Sequence, residues 1–151
     1  DDLFLKVRNG LYALRAELPQ EEAIANRLYA PSYISFEYAL SHYGIIPESV
    51  YTITSATTRT TREFIVNNKS FTYSHIKKQV YRGYRTEKMG GMTVLIAEPE
   101  KALVDYLYFV SLKRKTLNER LNLRKLKKKT VMEYARLFGR KSLIKLVKEI
   151  L

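Results

Sequence analysis

Two periods alternate along this chain. Phe36, Ala39, Leu40 and Tyr43 fall at i, i+3, i+4 and i+7, the spacing that lines one face of a helix, with Ser35 placed to cap its start and Gly44 to end it. Pro19 followed by Glu21 and Glu22 opens an earlier helix, because proline lacks only a donor that the first turn leaves unpaired and acids suit the positive end of the helix dipole. Ile24 and Leu28 share its apolar face. After Pro47 the period shortens. Residues 50–54 and 62–66 are β-branched and aromatic, Asn67-Asn68 suits a turn, and residues 70–76 alternate apolar and polar. Residues 80–85 and 92–97 flank Gly90-Gly91 and predict a further hairpin in a mostly antiparallel sheet.

The helical period then returns. Glu98-Pro99-Glu100 opens the longest helix, striped by Leu103, Tyr106, Leu107 and Val110 and widened by Ala102 and Phe109. Beyond Ser111, Leu112, Leu117, Leu121, Leu123 and Leu126 are interleaved with cations, so this stretch is not a simple disordered tail. Val131, Tyr134, Ala135 and Phe138 up to Gly139, then Leu143, Val147 and Ile150, predict two last helices. At the other end, Asn9-Gly10 between apolar stretches predicts a β-ribbon. The expected fold class is α+β: a mostly antiparallel sheet with packed helices and a basic helical C-terminal subdomain. Its expected parts are a ribbon over 1–16, a core over 17–112 and the basic subdomain over 113–151.

Charge sharpens this division. The 151 residues carry 27 Lys and Arg against 15 Asp and Glu, a formal charge of +12. Residues 111–151 hold 14 of the basic residues and only Glu119, Glu133 and Glu149 among the acids, so the rest of the chain is nearly neutral. Like charges at this density repel unless a partner neutralises them, which points to a polyanion or an acidic protein surface. Lys113, Arg114, Lys115, Arg120, Arg124, Lys125, Lys127, Lys128 and Lys129 are the candidate contacts. The absence of cysteine removes disulfides, thiolate metal sites and cysteine nucleophiles. No apolar run approaches the roughly 20 residues needed to cross a bilayer, so a soluble, cytoplasmic protein is expected.

Little in the sequence points to catalysis. His42 and His75 fall in different elements with no ligand spacing around them, so no metal or other cofactor is expected. Glu98, Glu100 and Asp105 beside Lys101 offer the carboxylates and lysine that a metal-dependent nuclease requires, and such an enzyme, using Glu98, Glu100 and Lys101, is the alternative function. Acids at a helix start are favoured by its dipole without any metal, and that reading is preferred. Residues 55–61, rich in Ser and Thr around Arg59, carry phosphate-binding groups but read as a solvated loop between strands. Tyr73, Tyr81 and Tyr84 near Lys77, Lys78, Arg82 and Arg85 have the mixture that stacks on unpaired bases, yet half-buried strand packing accounts for them more simply.

Residues 9–14, Asn-Gly-Leu-Tyr-Ala-Leu, and 31–47, Pro-Ser-Tyr-Ile-Ser-Phe-Glu-Tyr-Ala-Leu-Ser-His-Tyr-Gly-Ile-Ile-Pro, resemble the AbiEi family of antitoxins from prokaryotic abortive-infection systems, also described as predicted transcriptional regulators of viral defence. Residues 50–55 with the threonine-arginine run after them, and 98–108, Glu-Pro-Glu-Lys-Ala-Leu-Val-Asp-Tyr-Leu-Tyr, are similar as well. The likeness extends over about residues 3–110. It implies a non-enzymatic antitoxin of a type IV toxin–antitoxin system that represses its own operon through a winged helix-turn-helix and counteracts a nucleotidyltransferase-like toxin. Operator DNA and the cognate toxin are then the expected partners. The chain departs from the pattern by opening on what resembles the wing ribbon, without the preceding helices that include the recognition helix. Lys6 and Arg8 would lie on a wing strand as phosphate contacts, although two residues do not hold a duplex.

Overall fold

The computed structural model describes residues 20–151. The predicted ribbon at Asn9-Gly10 and the wing residues Lys6 and Arg8 lie outside them. The described residues form one mixed sheet of β1 (Ser32–Ile34), β2 (Ile53–Thr57), β3 (Arg62–Val66), β4 (Lys69–His75), β5 (Tyr84–Met89) and β6 (Met92–Ala97), ordered β3-β4-β2-β1-β6-β5. Three pairings are antiparallel, while β1 with β6 and β2 with β4 are parallel. Helices α1 (Glu21–Leu28), α2 (Phe36–His42), α3 (Pro99–Ser111), α4 (Lys128–Phe138) and α5 (Lys141–Ile150) complete an α+β fold.

The alternation along β2 and β4 explains the layers. Ile53, Ser55 and Thr57 align with Phe71, Tyr73 and His75, and on this face the Tyr73 hydroxyl donates to Ala25 O of α1 at 2.7 Å. Strand β1 is short and meets β6 only at Ile34 and Ile96, which would leave Leu95, registered with Thr86 of β5, without a strand partner on the β1 side. Asn26 of α1 supplies one: its Nδ2 donates to Leu95 O at 3.2 Å and its Oδ1 accepts from Leu95 N at 2.7 Å. Buried backbone groups must be paired, and here a carboxamide imitates a neighbouring strand.

Helices α2 and α3 cover the other face. Ser35 stands at the N-cap of α2, but its hydroxyl donates to Asp105 Oδ2, and Thr54 Oγ1 of β2 accepts the Tyr38 amide in its place. The capping role has passed to a neighbouring strand. Helices α4 and α5 pack on α3, and Val131, Ala135, Leu143 and Val147 join the same buried core as Leu103, Val104 and Leu107. Gly139 ends α4 in the left-handed region, at φ 68°, which suits glycine.

Four local expectations differ from the structure. Residues 80–85 are not one strand: a 3-10 turn, Lys78–Val80, comes first, and β5 begins at Tyr84 after Gly83 at φ 81°. A Cβ at Gly83 would stand 2.9 Å from Lys101 Cγ and from the Tyr134 ring, so this close approach depends on glycine. The strand expected over 50–54 lies three residues later, and β1 adds a strand that no alternation announced. Residues 112–127 form no helix. Asn118 Oδ1 accepts from Arg120 N and Asn122 Oδ1 from Arg124 N, side-chain bonds two residues on that compete with helical hydrogen bonding, and Lys113 adopts a positive φ of 62°. Leu117, Leu121, Leu123 and Leu126 instead reach the core singly, each partly buried.

Candidate nucleic-acid interface

The 112–127 connection leaves the C-terminal end of α3 and returns to its start. Lys115 pairs with Glu37 of α2 at 2.8 Å, Asn118 Nδ2 donates to Glu48 at 2.9 Å, Arg120 contacts the same carboxylate, and Asn122 N donates to Ile45 O at 2.7 Å. The buried end of Tyr106 fastens the middle, its hydroxyl donating to Thr116 O and accepting from Asn118 N. The Glu48 carboxyl is held below the usual carboxylate range, first by its own backbone amide and then by Asn118, with Arg120 adding to the effect.

These bonds sort the nine candidate cations. Lys115 and Arg120 are neutralised by Glu37 and Glu48. Arg124, Lys125, Lys127, Lys128 and Lys129 are all exposed beside the first turn of α3, where Lys127 N donates to Glu100 Oε2 at 3.0 Å. None of these five side chains has a carboxylate partner among the described residues. Lys113 and Arg114 are exposed at the opposite end of α3, about 20 Å away at ~1.5 Å per helical residue. Arg140 joins that end, donating from Nε to Ser111 Oγ and from Nη2 to Ser111 O. The nine cations of the basic subdomain are thus not one continuous surface: the unpaired ones form two clusters, and of the nine only Lys128 and Lys129 are helical.

The α4–α5 hairpin adds positive charge that the candidate set omitted. Arg136, Lys141, Lys145 and Lys148 are exposed, and the last three recur at i, i+4 and i+7 along one side of α5. That spacing was readable beside the apolar stripe of the same helix. Ile150 and Leu151 return to Arg124 and Lys128, lining with them and with Leu121 and Leu123 an open groove of about 570 Å³.

A second cleft, of about 240 Å³, lies between α2, the start of α3 and the connection, lined by Tyr43, Gly44, Ile45, Pro99, Asn122, Lys125 and Leu126. The Tyr43 ring is fixed by its hydroxyl, which donates to Ala97 O at 2.6 Å, and burial pushes that hydroxyl well above its ordinary pKa, with Glu87 adding to the rise.

The acidic residues near Lys101 do different work. Lys101 Nζ stands 2.6 Å from Asp105 Oδ1 and donates to Tyr33 Oη at 2.8 Å, while Tyr33 and Ser35 both donate to Asp105 Oδ2 at 2.8 Å. Lys101 and Asp105 are fully buried, and burial with the neighbouring carboxylate raises Tyr33 well above its ordinary pKa. Glu98 accepts from the Tyr134 hydroxyl at 2.7 Å, and Glu100 is occupied by Lys127 N. These carboxylates fasten α4 to α3 and α3 to β1. Among the described residues, no three or more His, Cys, Asp or Glu side chains gather into a set able to hold a metal ion.

The remaining candidates are also engaged in structure. His42 meets Glu87 at 3.2 Å, and His75 Nδ1 lies 3.0 Å from Arg59 O. Ser55 and Thr57 belong to β2, Thr57 Oγ1 donates to Pro31 O, and the Arg59 guanidinium lies 4.1 Å above the Tyr29 ring. The solvated loop is thus shorter than residues 55–61. Tyr73 is buried, whereas Tyr84 stacks on Tyr33 at 4.8 Å and remains 38% exposed, with Tyr81 against both. No helix of the described residues is long and apolar enough to cross a membrane. No protein-family model matches the chain, and no curated protein matches it.

Proposed function

We propose that this protein is a non-enzymatic antitoxin and transcriptional regulator of a prokaryotic abortive-infection system, which binds operator DNA and counteracts a nucleotidyltransferase-like toxin. The observation that carries the DNA-binding part is the exposed run Arg124, Lys125, Lys127, Lys128 and Lys129, without a carboxylate partner among the described residues while nearby Lys115 and Arg120 are paired. Cations already neutralised inside a fold gain little from a phosphate, whereas unpaired ones release its condensed counterions. The antitoxin part rests on the AbiEi resemblance of residues 3–110.

The first test is duplex binding followed by fluorescence anisotropy from low to high salt. Log affinity should fall with log salt, at about 0.9 per phosphate contact. A flat response would remove DNA from the proposal. The second test is co-expression with a nucleotidyltransferase-like toxin encoded beside this gene, where restored growth supports the antitoxin reading and continued arrest refutes it. Magnesium-dependent cleavage of plasmid or RNA that disappears in Glu100→Ala would replace both with the nuclease alternative.

A further inference from the structure

The cleft beside Lys125 is too small for a drug-sized ligand, whose pockets run to roughly 300–1,000 Å³, but at about 240 Å³ it has room for one planar ring system. Its walls are largely apolar, from Tyr43, Ile45, Pro99 and Leu126, and only Asn122 and Lys125 bring amide or charged side chains to it. Asn122 is fixed from two sides: its backbone N donates to Ile45 O, and its Oδ1 accepts from Arg124 N. This leaves Nδ2 as an oriented donor with no partner among the described residues. Lys125 is exposed and has no anionic partner there either.

We propose that this cleft receives one unpaired base of a nucleic-acid strand, with the Asn122 amide on an acceptor at the base edge and Lys125 on the adjoining phosphate. The inference rests on the nucleic-acid reading above and adds a preference to it. Apolar and aromatic walls bind the face of any base, so the site tolerates sequence. A base inside a duplex is stacked on both faces and does not enter. Arg124 and Lys127, flanking Lys125 in the chain, supply further charge along the path of the strand. An acidic peptide would satisfy Lys125 but has no planar group for the apolar slot.

The test uses the full chain and a single-stranded oligonucleotide carrying one 2-aminopurine among thymines, excited where tryptophan does not absorb. The same sequence as a dye-labelled duplex is followed by anisotropy. Binding should quench the 2-aminopurine. Leu126→Trp, which fills the cleft, should abolish the quenching and weaken single-strand binding about tenfold, the size expected for losing one stacked base, while duplex affinity stays within about twofold. Asn122→Ser, which keeps an acceptor for Arg124 N but removes the Nδ2 donor without adding bulk or charge, should do the same, so the result does not hang on one variant's folding. Unchanged quenching and affinity in both variants overturn the proposal, as does displacement of the oligonucleotide by polyglutamate in a manner equally dependent on Leu126. Loss of duplex binding with quenching intact would refute the operator reading alone, whereas duplex binding without any quenching would refute this inference alone.

Discussion

Lys101 Nζ and Asp105 Oδ1 lie 2.6 Å apart, one helical turn from each other on α3, and neither side chain reaches solvent. Two charges withdrawn from water are tolerable only as a pair with their remaining valences filled, which Tyr33 and Ser35 provide. Removing one member strands the other. Asp105→Ala should therefore lower unfolding free energy by about 3–5 kcal/mol in urea titration, and Lys101→Met by a similar amount. Replacing both by apolar residues of matching volume should cost much less than either single change.

Asn26 gives a test of the strand substitute. Asn26→Ala leaves the Leu95 N–H and C=O without their partner, and the expected loss is about 1–3 kcal/mol, the penalty for unsatisfied buried polar groups. Hydrogen exchange should quicken first at the Leu95 amide.

Gly83→Ala combines an unfavourable positive φ with a Cβ 2.9 Å from Lys101 Cγ and Tyr134. A loss of about 1–3 kcal/mol is expected in thermal or urea unfolding, with the Tyr134–Glu98 contact disturbed in the variant's crystal structure.

The fastening of the connection to Glu48 should depend on pH. Because the folded carboxyl titrates below its unfolded counterpart, its contribution is fully present above the unfolded pKa and disappears as pH falls through the lowered folded value. Amide resonances of Asn118 and Arg120 should shift together in that acidic window. Glu48→Gln should remove the transition.

The cations should separate by their present partners. Changing Lys127, Lys128 and Lys129 to Ala should flatten the salt dependence of duplex binding by about 0.9 for each phosphate contact removed. Lys115→Ala should leave the slope unchanged. Equal effects from both would show that duplex binding does not distinguish paired from unpaired charge.

The elements that repeat a clean period were legible: Phe36, Ala39 and Leu40 on α2 with Tyr43 at its C-cap, the stripe of α3, and the alternation of β4 all appear in the fold. What escaped has identifiable causes. Strand β1 is three residues buried on both faces, so Ser32, Tyr33 and Ile34 show no alternation to read. Asn118 and Asn122 turned a leucine-rich stretch away from helix through bonds to their own backbone. Glu37 and Glu48 come from far earlier in the chain, so nothing local indicated which cations they would neutralise. The cleft likewise joins the residues just after α2 to Pro99 of α3 and to the connection, which no sequence spacing groups.

The return of residues 112–127 along α3 also bears on the order in which the molecule assembles. Its ties to Glu37 and Glu48 close sequence separations of 70–78 residues, and closures of that length are slow because chain entropy is lost before any contact forms. On the ribosome, α4 and α5 emerge after α2 and α3 and have no seat until those two have docked on the sheet. Protease-resistant nascent chains should therefore appear abruptly, only once α5 has cleared the exit tunnel.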